Sequence, residues 1–221
     1  MLARTTPLER GQTVLPENMS PGNNAGSVEA APDVAAEAGD RYVINAMVSR
    51  FTVKAFAGGL LSAFGHNPTI AIRDMQGEVH FSPVALEQSS LHFVVRADSL
   101  AVTDNVSDKD RREMETEMRD SVLEIAKYPE IVYDAPSVTV ESSSDGQGDL
   151  VLLGKLTLHG VTRSQQVPAR VAVTGDMLRA FGEFSLRQSN YNIKPVSAVG
   201  GGLKVKDEVK FSFDIVARKE A

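Results

Sequence analysis

Four histidines are the side chains in this sequence best suited to metal binding or proton transfer: His66, His80, His92 and His159. Imidazole is a common ligand of zinc and other transition metals, and paired ligands on one helix or hairpin usually stand about three to five residues apart. No two of these histidines have that spacing, and the chain has no cysteine that could supply a thiolate. The sequence therefore predicts no metal site and no cofactor.

The serines and acidic residues do not form a catalytic pattern either. The G-x-S-x-G turn that carries a nucleophilic serine in many hydrolases does not occur in the sequence. Asp104, Asp108 and Asp110 could suggest calcium, but the central glycine and terminal glutamate of a calcium-binding loop are missing. The same residues suit the start of a helix, where a negative charge is favourable. We therefore expect a protein that is not an enzyme.

Two of the histidines stand near glycines and have a second interpretation. His159 precedes Gly160, so it either holds the backbone of a turn, which is favoured, or contacts the head group of a ligand. His66 follows a glycine-containing stretch that suits a mobile loop, where polar anchors of a binding site are common. For each of these two histidines, a structural role and contact with a ligand both stay open.

Charge and hydropathy exclude two classes of partner. The formal net charge is -6 and the basic residues are scattered, whereas a protein that binds a nucleic-acid backbone concentrates them on one face. No stretch reaches the roughly 18 to 20 continuous apolar residues that a membrane-spanning helix needs. We expect neither nucleic-acid binding nor a membrane span.

The first 40 residues differ in composition from the remainder. They contain Pro7, Pro16, Pro21 and Pro32 with several Gly, Asn and Glu residues, and they have no sustained apolar period. This pattern predicts a disordered N-terminal arm over residues 1–40 and one folded domain over 41–221. The segment after Met1 also lacks the apolar run of a secretory signal, which favours a cytoplasmic location.

Period-two alternation of apolar and polar residues recurs through the folded part and predicts strands. Val209, Phe211, Phe213 and Ile215, for example, alternate with charged or small polar residues. Turn residues such as Gly175 separate the segments. The eight predicted strands cover residues 42–56, 69–81, 90–99, 130–140, 149–159, 162–174, 177–187 and 203–217.

One segment has helical periodicity instead. Its apolar residues recur at multiples of three to four positions in a stretch rich in charge, which predicts an amphipathic helix over residues 107–125. Ser107 or Asp108 can cap its first turn, and Pro129 prevents its continuation. This helix lies between the third and fourth predicted strands.

Eight antiparallel strands in an open sheet would leave two edges with unpaired backbone groups, and closure into a barrel removes both. The fold class predicted is therefore all-β, an eight-stranded antiparallel barrel with one helix. Several segments are longer than ordinary strands, so the barrel is expected to be tall, with a narrow interior that either packs solid or holds one slender ligand. Asp207 is an exception, because it falls in the inward phase of the last strand; Arg187, Lys194 and Arg50 are its candidate partners.

The stretch from Leu156 to Arg163, reading LTLHGVTR, resembles the most characteristic motif of the YceI-like family. Further pieces in the same order also resemble that family: Tyr42-Val43-Ile44, Tyr128-Pro129-Glu130-Ile131 and the closing Val205-Lys206-Asp207-Glu208-Val209. The resemblance implies a lipocalin-like barrel that binds polyisoprenoid or similar long-chain lipids. It also implies a periplasmic or extracellular location, the alternative to the cytoplasm.

The resemblance and the strand phases together suggest which residues contact a lipid. An apolar tail would lie against inward side chains, and polar residues at one end would hold a head group. The predicted ligand-binding residues are Phe51, Val53, Phe64, His66, Phe93, Val95, Leu156, Leu158, Phe184, Asn190, Phe211 and Phe213. The alternative is a packed β-barrel interaction module without a lipid ligand, and a homodimer is left open.

Overall fold

The computed structural model describes residues 39–58, 67–144, 146–198 and 203–220, and most of them lie in β-strands. These are β1 (Asp40–Ile44), β2 (Arg50–Lys54), β3 (Ala57–Gly58), β4 (Thr69–Ile72), β5 (Met75–Phe81), β6 (Ser90–Arg96), β7 (Leu100–Val102), β8 (Glu130–Ser144), β9 (Gln147–Leu158), β10 (Val161–Thr174), β11 (Met177–Arg187), β12 (Ser197–Ala198), β13 (Leu203–Val205) and β14 (Glu208–Lys219). One α-helix, α1 (Asp108–Glu117), lies between β7 and β8.

A closed antiparallel barrel of eight strands forms the body of the protein. Its order is β1, β5, β6, β8, β9, β10, β11 and β14, and β14 pairs back onto β1. The closing pairs include Tyr42 with Lys219 and Ile44 with Ala217. The predicted fold class is thus confirmed, and the pairing of β14 with β1 removes the two edges that an open eight-stranded sheet would have.

Each of the first three predicted strands is interrupted. The first consists of β1 and β2, because residues 45–49 turn between them, with the Asn45 carbonyl accepting from the Ser49 amide. Both halves still pair with β14. The second predicted strand consists of β4 and β5, and the third consists of β6 and β7. In the sheet, β2 pairs with β14, β4 pairs with β2 and β7 pairs with β4, so these three short strands extend the sheet beyond β14.

The inward faces of the strands form the core, as the period-two pattern predicts. On β10, Val167, Ala169 and Val171 are buried and alternate with exposed residues, and on β9 Leu156 and Leu158 do the same. Full burial of one such branched side chain contributes roughly 1.5 to 3 kcal/mol to stability.

The helix begins where the sequence predicts but its α-helical part is shorter. The Ser107 hydroxyl caps it by accepting from the Asp110 amide at 3.1 Å. After Glu117 the chain makes a π-helical turn, Met118–Val122, and Glu124 then leaves the helix with a φ of 46°. This wider turn lets Leu123 reach a buried position. None of the helices in the described ranges is long and apolar enough to cross a membrane.

The two ends of the barrel differ in their connections. At one end, named here the hairpin end, the β8–β9 pairing ends with Ser144 opposite Gln147 and the β10–β11 pairing ends with Thr174 opposite Met177. Gly175 has a φ of 56° in the two-residue turn between Thr174 and Met177, which suits a glycine. The other end is named the helix end. It is formed by residues 118–129, the β9–β10 turn and residues 188–193, which contact one another through His159. The arm predicted over residues 1–40 lies outside the described residues except for Gly39 and Asp40, and Asp40 opens β1.

Candidate functional site: an apolar channel

A cavity of about 160 Å³ lies inside the barrel and is bordered by residues from both of its halves. Phe81, Ser89 and Leu178 border it toward the hairpin end, and Val95 and Leu158 border it toward the helix end. The other residues of the lining are Ile44, Phe51, Ile72, Val79, Ser90, Leu91, Phe93, Ile131, Tyr133, Val138, Leu150, Leu152, Leu156, Gln165, Val167, Ala169, Val171, Ala180, Phe184, Phe211, Phe213 and Ile215. Because this small volume is bordered by so many residues along the barrel, we describe the cavity as a slender apolar channel.

Five phenylalanines form a cluster along this channel. Phe184 stacks on Phe211 with ring centroids 4.7 Å apart, and Phe51 contacts the rings of Phe93, Phe211 and Phe213 at 5.7 to 6.1 Å. Phe51, Phe184, Phe211 and Phe213 are only half-buried although they face inward, because they border the cavity. Their rings therefore control how much of the interior is open.

Most of the residues predicted to contact a ligand lie together in this lining. They are Phe51, Phe93, Val95, Leu156, Leu158, Phe184, Phe211 and Phe213. Val53 packs against the core but does not line the channel. Asn190 is exposed in the turn after β11, where its carbonyl accepts a hydrogen bond from the Arg163 guanidinium. Phe64 and His66 lie outside the described residues.

Tyr133 is the main member of the lining that sequence reasoning missed. Its hydroxyl donates to the carbonyls of Gln165, at 2.9 Å, and Leu152, at 3.2 Å. Its ring occupies the space beside Gly154, where an added Cβ would stand 2.5 Å from the Tyr133 ring. Burial raises the pKa of Tyr133, so the phenol stays a neutral donor. The alternation Ile131, Tyr133, Ala135 on β8 was the available signal, since all three have the same phase.

His159 closes the helix end through three contacts. Its Nε2 lies 2.7 Å from a Glu124 carboxylate oxygen, its Nδ1 lies 3.2 Å from the Tyr191 carbonyl, and its ring lies 4.6 Å from that of Tyr128. His159 and Gly160 have φ values of 51° and 71°, the pattern of a type I′ hairpin turn. These contacts agree with the favoured structural interpretation of His159.

Asp207 has a different partner from the three basic residues considered. It lies in the bend between β13 and β14, outside the regular strand, and accepts from the Ser189 amide at 2.7 Å and the Ser189 hydroxyl at 2.6 Å. These two donors hold the pKa of Asp207 below its ordinary value. The positive charge of Arg187 also lowers the pKa of Asp207, but less than the Ser189 donors do. Among the described residues, neither Lys194 nor Arg50 forms an ion pair or hydrogen bond with Asp207. A turn contact replaces the expected ion pair because the chain leaves the strand before Asp207.

A groove lined by both apolar and polar residues lies on the outer wall of the barrel, over β5, β6, β8, β9 and β10. Within it His92 Nδ1 lies 2.5 Å from an Asp134 carboxylate oxygen, and His80 Nε2 lies 3.7 Å from a Glu78 oxygen. Pairing of Glu78 with His92 across β5 and β6 brings the two histidines near each other. Within the described ranges no three His, Asp or Glu side chains are arranged to hold a metal ion.

Comparison with solved structures identifies proteins of the same fold. The BcnA protein of Burkholderia cenocepacia has a TM-score of 0.59 and 17% identity, with 78% of this chain and 98% of that chain covered. A polyisoprenoid binding domain from Saccharophagus degradans has a TM-score of 0.58 and 14% identity, covering 81% of this chain and 98% of its own. The Campylobacter jejuni YCEI protein has a TM-score of 0.51 and 14% identity over 69% of this chain and 85% of its own.

A search of curated proteins finds no match to this chain. The family model of the YceI-like domain, in contrast, matches residues 42–217, which run from the middle of β1 to Ala217 near the end of β14. The match covers nearly all of the barrel, including the LTLHGVTR motif at its helix end. The chain therefore belongs to the YceI-like domain family.

Proposed function

We propose that this protein binds or carries a long-chain amphiphile, such as a polyisoprenoid or fatty-acid-like lipid, without changing it chemically. The observation that carries the proposal is the apolar channel bordered by residues from both halves of the barrel. An apolar tail placed there leaves water at a gain of about 0.8 kcal/mol for each methylene, before the cost of ordering the tail.

The size of the channel supports a ligand that is thin and apolar. An engineered cavity of about 150 Å³ in another protein stays dry and binds benzene. The channel here has a similar volume, 160 Å³, distributed over many more lining residues. A long tail needs more room than this, so its uptake requires the rings of Phe51, Phe184 and Phe211 to change rotamers.

The lining also supports a role without catalysis. Its polar members are Tyr133, Gln165, Ser89 and Ser90, and none of these carries a charge near neutral pH. Proton transfer by a side chain needs a group whose pKa lies near the working pH. The described lining offers no such group to a bound lipid.

The relatives support the class of ligand. The domain from Saccharophagus degradans, which has the same barrel, is a polyisoprenoid binding domain. An interaction module with a solid interior is less well supported, because the cavity volume of 160 Å³ exceeds the space of a few waters at about 30 Å³ each.

The cellular compartment stays a prediction, and fractionation of cells that carry the tagged natural gene would decide it.

Extraction of the purified full-length protein with organic solvent, followed by mass spectrometry, tests the proposal. We expect a long-chain lipid in near-stoichiometric amount, or its uptake when phytol or a long-chain fatty acid is supplied. Protein that neither carries nor takes up any long-chain lipid would exclude the proposed function.

A further inference from the structure

The polar residues of the channel lie on one part of its wall. Ser90 is on β6, Ser89 directly precedes β6, Tyr133 is on β8 and Gln165 is on β10. These strands are neighbours in the order β6, β8, β9, β10. The opposite wall, formed by β11, β14 and β1, contributes only apolar residues to the lining. The few polar residues of the lining therefore share one side of the channel, although the surface that the channel itself presents is apolar.

The outer groove lies directly behind that side of the channel. Ser90, Leu91 and Gln165 border both the inner channel and the outer groove. A single layer of residues thus separates the apolar interior from an outer groove whose polar residues include His92, Asp134 and Lys155.

The backbone ladder is interrupted at the same place. β8 and β9 pair at Asp134 with Lys155 and again at Ser137 with Leu153, but Ala135 and Pro136 lie between these pairs in a bulge opposite Gly154. Pro136 has no amide to donate, and Gly154 has no side chain to fill the space. Bulges locally disrupt strand pairing, so the wall between β8 and β9 is weakened here, as it is at a second register shift between Val140 and Ser142.

The Tyr133 side chain occupies this point. Its ring lies against Gly154, and its hydroxyl bonds the carbonyls of Leu152 on β9 and Gln165 on β10. A change of the Tyr133 rotamer would open the space at the bulge and release two carbonyl acceptors toward the groove.

The groove suits an uncharged polar group better than a phosphate. It contains the carboxylates of Glu78 and Asp134, Lys155 opposite Asp134 on β9, and the imidazoles of His80 and His92. A diphosphate would lie next to two carboxylates, whereas a hydroxyl or carbonyl oxygen could accept from Lys155 or an imidazole.

We propose that the β8 bulge is a lateral passage gated by Tyr133, through which the alcohol or carbonyl head of the bound lipid reaches the outer groove while its tail stays in the channel. This inference rests on the proposed function, because it needs a lipid tail in the channel. It places the head group at the side of the barrel instead of at the helix end.

The absence of cysteine in the chain allows a clean test. Ser164 is exposed in the groove, and Ser212 is exposed on the outer face of β14, away from the groove. Ser164→Cys and Ser212→Cys variants would each be loaded with phytol, an isoprenoid alcohol, or with phytane, the corresponding hydrocarbon without a head group. Bound lipid would be quantified by mass spectrometry, and the rate of cysteine alkylation by a bulky maleimide would be measured.

We expect phytol at about ten times its Kd to slow alkylation of the introduced cysteine at position 164 by about tenfold. Phytane should leave that rate unchanged, and neither lipid should affect the cysteine at position 212. Bound phytol that leaves position 164 as reactive as in the free protein, or equal protection by phytane, would overturn the lateral passage alone. If the unsubstituted protein binds neither lipid, the proposed function falls and this inference with it.

Discussion

The imidazole Nε2 of His159 lies 2.7 Å from a carboxylate oxygen of Glu124, although the two residues are 35 positions apart in the sequence. The other ring nitrogen faces the Tyr191 carbonyl at 3.2 Å. Through this one side chain the β9–β10 turn holds the segment after the helix and the turn after β11.

Replacement of His159 should therefore lower stability. His159→Ala removes both hydrogen bonds and leaves the Tyr191 carbonyl without this partner, which costs about 1 to 3 kcal/mol. His159→Asn should cost less, because asparagine tolerates the positive φ of 51° better than alanine does. The urea unfolding midpoints of the two variants measure these losses of stability. The control is His80→Ala at an exposed position, whose free energy of unfolding should lie within about 0.5 kcal/mol of that of the unsubstituted protein. Equal midpoints for all three variants would show that the His159 contacts do not stabilise the fold.

Gly160 is expected to be less replaceable than Gly175. Both have positive φ, 71° and 56°, which costs an alanine roughly 1 to 2 kcal/mol. A Cβ at Gly160 would also stand 2.5 Å from the Tyr128 ring, whereas a Cβ at Gly175 would meet nothing within 4 Å. Gly160→Ala should thus lower the free energy of unfolding clearly more than Gly175→Ala in chemical denaturation. The reverse order would contradict the packing of Gly160 under Tyr128.

A bulky residue in the channel should block lipid uptake. Ala180 lines the channel, and Ser185 on the same strand is exposed on the outer face. Ala180→Phe should reduce the bound lipid at least about tenfold, because the added ring occupies the volume that the tail needs. Ser185→Phe adds a ring of the same size outside the channel and should bind lipid normally.

Bound lipid after incubation with phytol measures this difference, and circular dichroism verifies that each variant folds. Ala180→Leu serves as a smaller obstruction if Ala180→Phe does not fold. Undiminished uptake by folded variants at position 180 would show that the tail does not use this channel.

Asp207 should contribute to stability in a pH-dependent way. Because the Ser189 donors lower the pKa of Asp207, its contribution is present above the unfolded-state pKa near 3.9 and is lost as the pH falls through the lower folded-state value. The stability difference between the unsubstituted protein and Asp207→Asn should therefore shrink on acidification below about pH 4. Urea unfolding at neutral and acidic pH measures it. Ser189→Ala should show a weaker form of the same dependence, and a difference that is independent of pH would contradict it.

The barrel could be predicted from the sequence because the alternation of side chains along a strand is a local property. Val209, Phe211, Phe213 and Ile215 have one phase, and that phase points inward in the structure. A helix cap at Ser107 or Asp108 and the tight turn at Gly175 were also readable, since both depend on residue type at one position, and the structure places the cap at Ser107. The breaks within the first three strands were not readable, because their bends depend on pairing with β14 and with each other.

What the sequence by itself determined is the closed all-β fold, the position of its helix and the inward set that includes Phe51, Phe184 and Phe211. Only the tertiary structure decided that these rings leave a channel open, that Tyr133 crosses to Gly154 and the Gln165 carbonyl, and that His80 and His92 share an outer groove. The physical reason is that strand phase depends on neighbouring residues. Cavity volume, the partner of Asp207 and cross-strand neighbours depend instead on register between segments far apart in the chain.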